Sequence, residues 1–214
     1  MSTSCCHSDS AKKVFSFFAH SSRKRFEKKG FEASQKQLLA GLEQVGYRGA
    51  TLLEIGCGVG HLHQSLLEQG ANTAVGIDLA PKMLAEAREW ANQRGLDDRV
   101  DYLEGDFMEL GDSVEMADVS VLDKVVCCYP DAHGLLQQSL VKTRCAVALT
   151  YPRDRWFVRL GTGIWNFVLW LLRSDFRTYI HDPDQIEKWV TGDGLDKRFE
   201  DQTAAWTTQV FVRP

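Results

Sequence analysis

An acidic residue and three alternating glycines stand together in the segment Glu54-Ile55-Gly56-Cys57-Gly58-Val59-Gly60. Glycine lets the backbone turn tightly, and it lets a ligand approach the main chain without an intervening side chain. The spacing is GxGxG, whereas dinucleotide-binding folds use GxGxxG to seat a pyrophosphate on a helix N-terminus. The segment therefore indicates a ligand-binding loop and counts against a nicotinamide dinucleotide as the ligand.

Two further carboxylates follow apolar runs downstream of this loop. Asp78 stands 24 positions beyond Glu54, and Asp106 is followed directly by Phe107. A carboxylate at the first place can accept hydrogen bonds from both hydroxyls of a ribose. At the second place, the carboxylate can accept from the amino group of adenine while the aromatic ring packs on the base. Together these residues predict an adenosine pocket, because open α/β sheets bind ligands at the carboxyl ends of their strands.

The elements that must position these residues alternate regularly from about residue 50. Short apolar runs predict strands at residues 51–55, 74–77, 100–103, 119–126 and 145–150. Apolar residues at helical spacing predict helices at 60–69, 81–95 and 132–142, then at 153–172 and 183–191. Two final strands are expected at 197–200 and 206–212. We therefore expect an α/β fold with a doubly wound, mostly parallel seven-stranded sheet and a C-terminal antiparallel strand pair.

The ordered motifs resemble those of the class I, Rossmann-like methyltransferases that depend on S-adenosylmethionine (SAM). LLEIGCGVGHL is similar to the first motif of that family, GIDLAPKML to the second, EGDF to the third and VLDKVVCCYPD to the fourth. The resemblance implies SAM as cofactor, with Glu54 and Gly56 near its methionine moiety, Asp78 at the ribose, and Asp106 with Phe107 at the adenine. The predicted cofactor-binding residues are Glu54, Gly56, Cys57, Gly58, Gly60, Asp78, Leu79, Asp106, Phe107 and Asp123.

A second resemblance, to the magnesium-protoporphyrin O-methyltransferases, concerns the acceptor side. Cys128-Tyr129-Pro130, Tyr151-Pro152 and Tyr179-Ile180-His181 are similar to stretches of that family. Cys128 replaces a functional histidine, and Phe17-Phe18 replaces a Tyr-Phe pair of the N-terminal lid. The acceptor thus stays open between a porphyrin-like carboxylate and another apolar molecule. The resemblance implies a lid segment at 1–49 and a methyltransferase domain at 50–214, with a helical acceptor-side insertion at about 152–182.

The predicted catalytic residues are His181, Tyr129 and Cys128, which bracket the place where the methyl group would emerge. His181 would orient the acceptor or act as a weak base, since histidine titrates near neutral pH. A capping or solvent-exposed role for His181 is the alternative. Cys128, or the Cys5-Cys6-His7 stretch, could instead bind a soft metalloid for methylation. No resident metal site is predicted.

Composition limits the partners. The net charge of −4 supplies no electrostatic reason to bind nucleic acid, so a small molecule is the expected partner. Residues 1–10 lack an apolar signal-peptide core, so a cytoplasmic location and six reduced cysteines are expected. The run LGTGIWNFVLWLL is too short to span a bilayer, which needs about 20 apolar residues. Its aromatic helix would cover an apolar acceptor, touch a membrane surface peripherally, or form core.

The sequence thus predicts transfer of a methyl group from SAM to oxygen or nitrogen of a small, apolar or aromatic acceptor. A non-catalytic SAM-binding partner protein is the alternative from another class. The basic cluster Arg23, Lys24, Arg25, Lys28 and Lys29 is interpreted as a solvated helix face. The oligomeric state is not predicted.

Overall fold

One seven-stranded sheet organises the computed structural model, which describes the chain from residue 4 and its side chains from residue 9. The strands are β1 (Thr51–Ile55), β2 (Thr73–Asp78), β3 (Val100–Glu104), β4 (Ala117–Asp123), β5 (Thr143–Pro152), β6 (Asp196–Gln202) and β7 (Trp206–Val212). The helices are α1 (Ser4–Lys29), α2 (Ala33–Val45), α3 (His61–Glu68), α4 (Pro81–Gln93), α5 (Phe107–Leu110), α6 (Ala132–Val141), α7 (Trp156–Leu171) and α8 (Pro183–Gly192).

The strand order is β3-β2-β1-β4-β5-β7-β6, with β1 to β5 parallel. β7 runs antiparallel to both β5 and β6, so the predicted C-terminal antiparallel pair is confirmed. The direction of winding reverses between β1 and β4. Open α/β sheets leave a crevice at this position, outside the carboxyl ends of the strands.

Two apolar layers hold the helices on the sheet. On one face, Leu52 and Val121 pack with α2, α3 and α4, for example with Leu38 and Leu66. On the other face, Leu53 and neighbouring strand residues pack with α6 and α8. Strand side chains alternate between the faces, so β1 contributes to both layers, as expected for a sheet covered on both sides.

The N-terminal residues form two helices, α1 and α2, in the segment that the resemblance assigns to a lid. α1 lies on α4, where the guanidinium of Arg23 contacts Glu86 at 3.1 Å and Gln93 at 2.7 Å. Arg23 is therefore an anchor between helices and not part of a solvated face, in contrast to the interpretation from sequence. The side chains of Cys5, Cys6 and His7 lie outside the described residues.

The aromatic helix predicted at 153–172 is α7, but it is not a core helix. Leu169 is its one buried residue, and its large apolar side chains are otherwise mostly exposed. The interpretation of this helix as plain core is therefore wrong. None of the helices from residue 4 onward combines the length and the apolarity that a bilayer-spanning segment needs.

Gly41 allows α2 to approach β6 and β7 closely. A Cβ at this position would lie 2.6 Å from the ring of Phe199 and 2.7 Å from Val210. We expect Gly41→Ala to lower the free energy of unfolding by about 1–3 kcal/mol through overpacking, as measured by urea denaturation. Gly192→Ala is the matched control, because nothing lies within 4 Å of a Cβ there. An equally stable Gly41→Ala variant would contradict this account.

Candidate active site

A cavity of about 290 Å³ opens at the crevice between the carboxyl ends of β1 and β4. Its walls come from the loops that follow the first four strands and from α1. Its volume approaches the range of small-molecule sites. Residues that line it include Phe15, Ser22, Gly56, Gly58, Asp78, Leu79, Met83, Gly105, Phe107, Asp123, Lys124, Val125, Cys128 and Tyr129.

The glycine loop borders this cavity through Gly56 and Gly58, whose φ angles are 68° and 55°. A Cβ on Gly56 would lie 2.5 Å from the Val125 side chain, so only glycine fits between the loop and that residue. A Cβ on Gly58 would meet nothing within 4 Å, which means that open space lies beside this residue. The loop is therefore shaped to let a ligand approach its backbone.

Cys57 and Gly60 belong to the same loop but do not line the cavity. The Cys57 side chain is buried, and its backbone N–H donates to the Ile77 carbonyl at 2.9 Å. Gly60 stands at the N-cap of α3, where a Cβ would lie 2.8 Å from Gln64. Both residues thus support the loop, and their predicted contact with cofactor is not seen in the cavity lining.

Asp78 joins the ends of two neighbouring strands. Its Oδ2 accepts from the N–H of Gly58 and its Oδ1 from the N–H of Ala80, both at 2.8 Å. Burial raises the pKa of this carboxyl to about 6, although the two backbone hydrogen bonds oppose the shift. Each oxygen retains one lone pair, so the carboxylate can still accept from a ligand hydroxyl.

Glu54 is not among the residues that line the cavity, and its predicted place near the methionine moiety stays a prediction. Its Oε2 accepts from the backbone N–H of His63 at 3.1 Å and lies 2.6 Å from His63 Nδ1. Both side chains are almost fully buried. Glu54 therefore occupies the N-terminus of α3 as an internal anion, which the helix dipole favours. Sequence reasoning did not identify His63 as its partner.

Asp106 also lies behind the cavity wall. It caps α5, where its Oδ1 accepts from the N–H of Met108 at 3.0 Å, and it accepts from the Tyr129 hydroxyl at 2.7 Å. Phe107, by contrast, is fully buried and lines the cavity as predicted. Asp106 thus positions Tyr129, and an adenine amino group would have to compete for the same carboxylate.

Asp123 ends β4 and contributes to the floor of the cavity. Its Oδ2 accepts from the side-chain amide of Gln35 at 2.8 Å. Its Oδ1 is buried and has no hydrogen-bond partner among the described residues. Burial raises the pKa of this carboxyl, while the Lys124 ammonium acts in the opposite direction. Because Asp123 lines the cavity, its carboxylate is available to a cationic or N–H group of a ligand.

The chain leaves β4 earlier than predicted, at Asp123 instead of residue 126. Lys124 has a positive φ of 61°, and a 3-10 turn follows at Val126–Cys128. This conformation is uncommon for a residue with a side chain and is typical of functional sites. The turn directs Val125 and Cys128 into the cavity.

The N-terminal helices contribute residues that sequence reasoning missed. Phe15 and Ser22 of α1 line the cavity, and Gln35 of α2 holds Asp123. By the resemblance, the Phe17-Phe18 pair stands in place of the aromatic pair of the N-terminal lid. Phe17 is 81% exposed and Phe18 is 40% exposed, and neither lines the cavity. Successive helical residues turn by about 100°, so Phe17 faces away from Phe15, whereas Phe18 lies only about 60° from it. No local sequence signal distinguishes them.

The three predicted catalytic residues are close to one another but differ in role. Cys128 and Tyr129 line the cavity, whereas His181 does not. His181 Nε2 lies 3.0 Å from the carbonyl oxygen of Tyr129. The neighbouring Cys127 thiol and burial raise the pKa of the Cys128 thiol well above its ordinary value. Burial and the Asp106 carboxylate likewise raise the pKa of the Tyr129 hydroxyl.

A second, largely apolar groove of about 250 Å³ lies beneath α7. Cys127 lines this groove and the adjacent Cys128 lines the cavity, so the turn at Val126–Cys128 separates the two spaces. Trp206 contributes to the groove, and its ring lies 5.2 Å from the Lys124 ammonium on the cavity side. The other lining residues are Pro152, Val158, Gly161, Thr162, Trp165, Thr178, Tyr179 and Ala205.

Residues 52–141 match the family described as a methyltransferase domain. A ribosomal protein L11 methyltransferase from Alteromonas mediterranea is 36% identical over 101 residues, covering 44% of this chain and 35% of that protein. A ubiquinone biosynthesis O-methyltransferase from Azorhizobium caulinodans is 40% identical over 79 residues, covering 37% of this chain and 30% of that protein. The chain thus spans about a third of the length of these relatives.

Two solved structures are similar over the whole chain. Magnesium protoporphyrin IX methyltransferase from Synechocystis PCC 6803 with bound SAM has a TM-score of 0.67 at 16% identity, with full coverage of both chains. The DhpI-SAM-HEP complex has a TM-score of 0.70 at 16% identity, also with full coverage. The chain therefore has the class I, Rossmann-like methyltransferase fold, and the predicted resemblance is confirmed. SAM is the cofactor of this family of domains.

The raised pKa of Asp78 links stability to pH. Its ordinary value is 3.8 and its value in the folded protein is about 6. The folded state therefore holds the proton more tightly, and this stabilisation is full below about pH 4 and is lost as the pH rises through 6. We expect wild type to lose about 3 kcal/mol relative to Asp78→Asn between about pH 3 and about pH 8, measured by urea denaturation at several pH values.

Asp112→Asn removes an exposed carboxylate and serves as the control. Its pH profile should match that of wild type. Parallel profiles for wild type and Asp78→Asn would show that Asp78 does not titrate differently in the folded protein.

Proposed function

We propose that this chain, which carries a methyltransferase domain, binds SAM in the cavity and transfers its methyl group to a small acceptor that extends from the groove beneath α7 past the turn at Val126–Cys128 into the cavity. The observation that carries the proposal is a cavity beside the glycine loop that presents two carboxylates, Asp78 and Asp123. One carboxylate, Asp78, can accept from the ribose hydroxyls of SAM, and the other, Asp123, can accept from the ammonium group of its methionine moiety.

The groups that line the cavity offer a partner to each part of SAM. Asp78 would accept from the ribose hydroxyls, and Phe107 and Leu79 would pack on the adenine. The Asp123 carboxylate would accept from the ammonium of the methionine moiety, and the space beside Gly58 is open to the ligand. Every one of these residues lines the cavity.

A dinucleotide fits less well, because few N–H groups of the glycine loop are free to bind its pyrophosphate. The N–H of Gly58 donates to Asp78, and those of Cys57 and Gly60 donate to backbone carbonyls. The Glu54 carboxylate occupies the N-terminus of α3, where a pyrophosphate would otherwise bind. A phosphate there would meet a buried negative charge and few free donors.

When bound, SAM supplies a methyl group on a sulfonium centre that is open to displacement by a nucleophile. The protein then needs to align the acceptor and exclude water more than to supply a strong base. Phe15 and α1 cover the cavity, while Val125, Cys128 and Tyr129 form the wall towards the groove. His181 contacts the Tyr129 carbonyl and so acts by positioning this wall.

The groove favours an apolar, ring-containing acceptor. Trp165, Tyr179 and Trp206 offer aromatic faces, and the space lies directly beyond the Cys127-Cys128 turn. Two of the similar proteins carry names that refer to ubiquinone biosynthesis and to magnesium protoporphyrin IX, both of which involve ring systems. A metalloid acceptor is disfavoured, because the raised pKa of the Cys128 thiol opposes the thiolate that such a ligand requires.

Asp123→Asn separates ligand binding from stability. The variant should bind SAM at least about tenfold more weakly, as a hydrogen bond to a charged group contributes about 1.5–3 kcal/mol. Its free energy of unfolding should stay equal or rise, since the substitution removes a buried charge and preserves an acceptor for Gln35. Isothermal titration calorimetry and urea denaturation measure the two effects.

Asp118→Asn is the matched control, since Asp118 lies on the same strand and bonds Thr51 far from the cavity. It should leave SAM affinity unchanged. Wild type that fails to bind SAM would overturn the proposed function, and full affinity in Asp123→Asn would remove Asp123 from the site.

Filling the groove should impair the acceptor and spare the cofactor. Thr162→Phe places a ring among the groove residues, whereas Leu160→Phe adds apolar bulk to a side chain that is 57% exposed. Transfer of labelled methyl from SAM to a panel of aromatic acceptors identifies a substrate. With that substrate, Thr162→Phe should raise KM by about tenfold or more with unchanged SAM affinity, and Leu160→Phe should behave as wild type. Equal kinetics in both variants would place the acceptor elsewhere.

A further inference from the structure

The outer face of α7 is apolar and exposed along its whole length. Trp156 is 77% exposed, Ile164 58%, and Phe167 and Trp170 both 61%. Leu160, Val168 and Leu171 are also exposed on this helix, and Leu172 follows directly after it. Contiguous exposed apolar surface of this kind marks an interaction site.

The polar contacts described for α7 lie on its inner side or at its N-terminal end. Asn166 bonds the backbone of Thr178 on the inner side, and Leu169 is buried there. The one charged residue of the helix, Arg159, is paired with Asp154 at its N-terminal end. No charged side chain therefore stands between Leu160 and Leu171, and water meets only apolar groups on the outer face.

Positive charge stands at both ends of α7. Arg155 precedes the helix and Arg173 follows it, and both are exposed and form no ion pair with the residues described from position 9 onward. Residues 153–177 contain five arginines and two aspartates, in a chain whose net charge is −4. The segment that contains α7 is thus basic within an acidic protein.

This charge distribution favours an anionic phospholipid surface over a second copy of the chain as the partner of α7. An anionic phospholipid surface would receive the apolar face in its acyl region and the two arginines at its phosphates, with the tryptophans near the interface. A second copy docked on α7 would oppose arginine ends to arginine ends, in either a parallel or an antiparallel arrangement. Like charges at both ends disfavour that pairing.

We infer that α7 is a membrane-docking helix, which lies in the plane of an anionic phospholipid surface through Leu160, Ile164, Phe167 and Trp170. The helix is about 24 Å long and binds the surface without crossing it. Docking brings the groove beneath α7 next to the lipid. The inference concerns a surface outside the SAM cavity and stands whether or not methyl transfer is observed.

Cosedimentation with vesicles tests the inference on the full chain. Wild type should bind vesicles of phosphatidylcholine and phosphatidylglycerol, and bind pure phosphatidylcholine about tenfold or more weakly. The triple variant Leu160→Ser, Ile164→Ser, Phe167→Ser should lose at least about tenfold in partitioning. Arg155→Glu with Arg173→Glu should lose binding to the anionic vesicles selectively. Wild type that binds neither vesicle would overturn the inference.

Val141→Ser is the matched control. Val141 is an apolar residue that is 65% exposed, and it lies before the start of β5, whereas α7 lies beyond the end of that strand. It should bind as wild type does; equal losses in this control and in the triple variant would contradict a specific role for α7. Circular dichroism confirms that the variants fold. Quenching of wild-type tryptophan fluorescence by brominated lipid gives a readout that requires no variant, and its absence would also refute insertion. A dimer in sedimentation velocity that the triple substitution dissociates, without vesicle binding, would assign α7 to a second copy.

Discussion

Asp78 accepts one hydrogen bond from the Gly58 N–H and another from the Ala80 N–H, and these two bonds tie the glycine loop to the end of β2. The loop can take this path because Gly56 and Gly58 adopt positive φ. With the loop held there, the crevice between β1 and β4 stays open as a cavity. The arrangement has a cost, since burial raises the pKa of the carboxyl that maintains it.

The floor of the cavity depends on the N-terminal helices. Gln35 of α2 holds one oxygen of Asp123, and Glu32 pairs with the Lys124 ammonium. Phe15 of α1 contributes to the opposite wall. A segment that precedes the sheet in sequence is thus part of the site, and its displacement would remove partners from two charged residues of β4 and its loop.

α7 has two different surfaces because it extends away from the sheet after β5. Its inner side, with Thr162 and Trp165, covers an apolar groove next to the turn at Val126–Cys128. Its outer side exposes aromatic and aliphatic residues that no described element covers. In water such a surface is unfavourable, so the helix is more readily explained as a site of docking than as a support for the sheet.

Much of the fold could be predicted because its signals are local. Alternating glycines, carboxylates at strand ends and the period of apolar residues depend on a few neighbouring positions, and they predicted the parallel sheet, the antiparallel pair and the places of Gly56, Asp78 and Phe107. The sequence predicted which segments form strands better than it predicted the residue at which each strand ends. β4 stops at Asp123 because Lys124 takes a left-handed conformation, which the apolar run up to Val126 does not reveal.

Other features arise only when distant segments meet. Glu54 pairs with His63 across the start of α3, Asp106 receives the Tyr129 hydroxyl, and Asp123 meets Gln35, which lies 88 positions earlier. A carboxylate at a strand end can face a ligand or an internal donor, and its sequence context is the same in both cases. Which of the two occurs is decided by the side chains that packing brings beside it, and this is why the residue types of the site followed from the sequence while their partners required the tertiary structure.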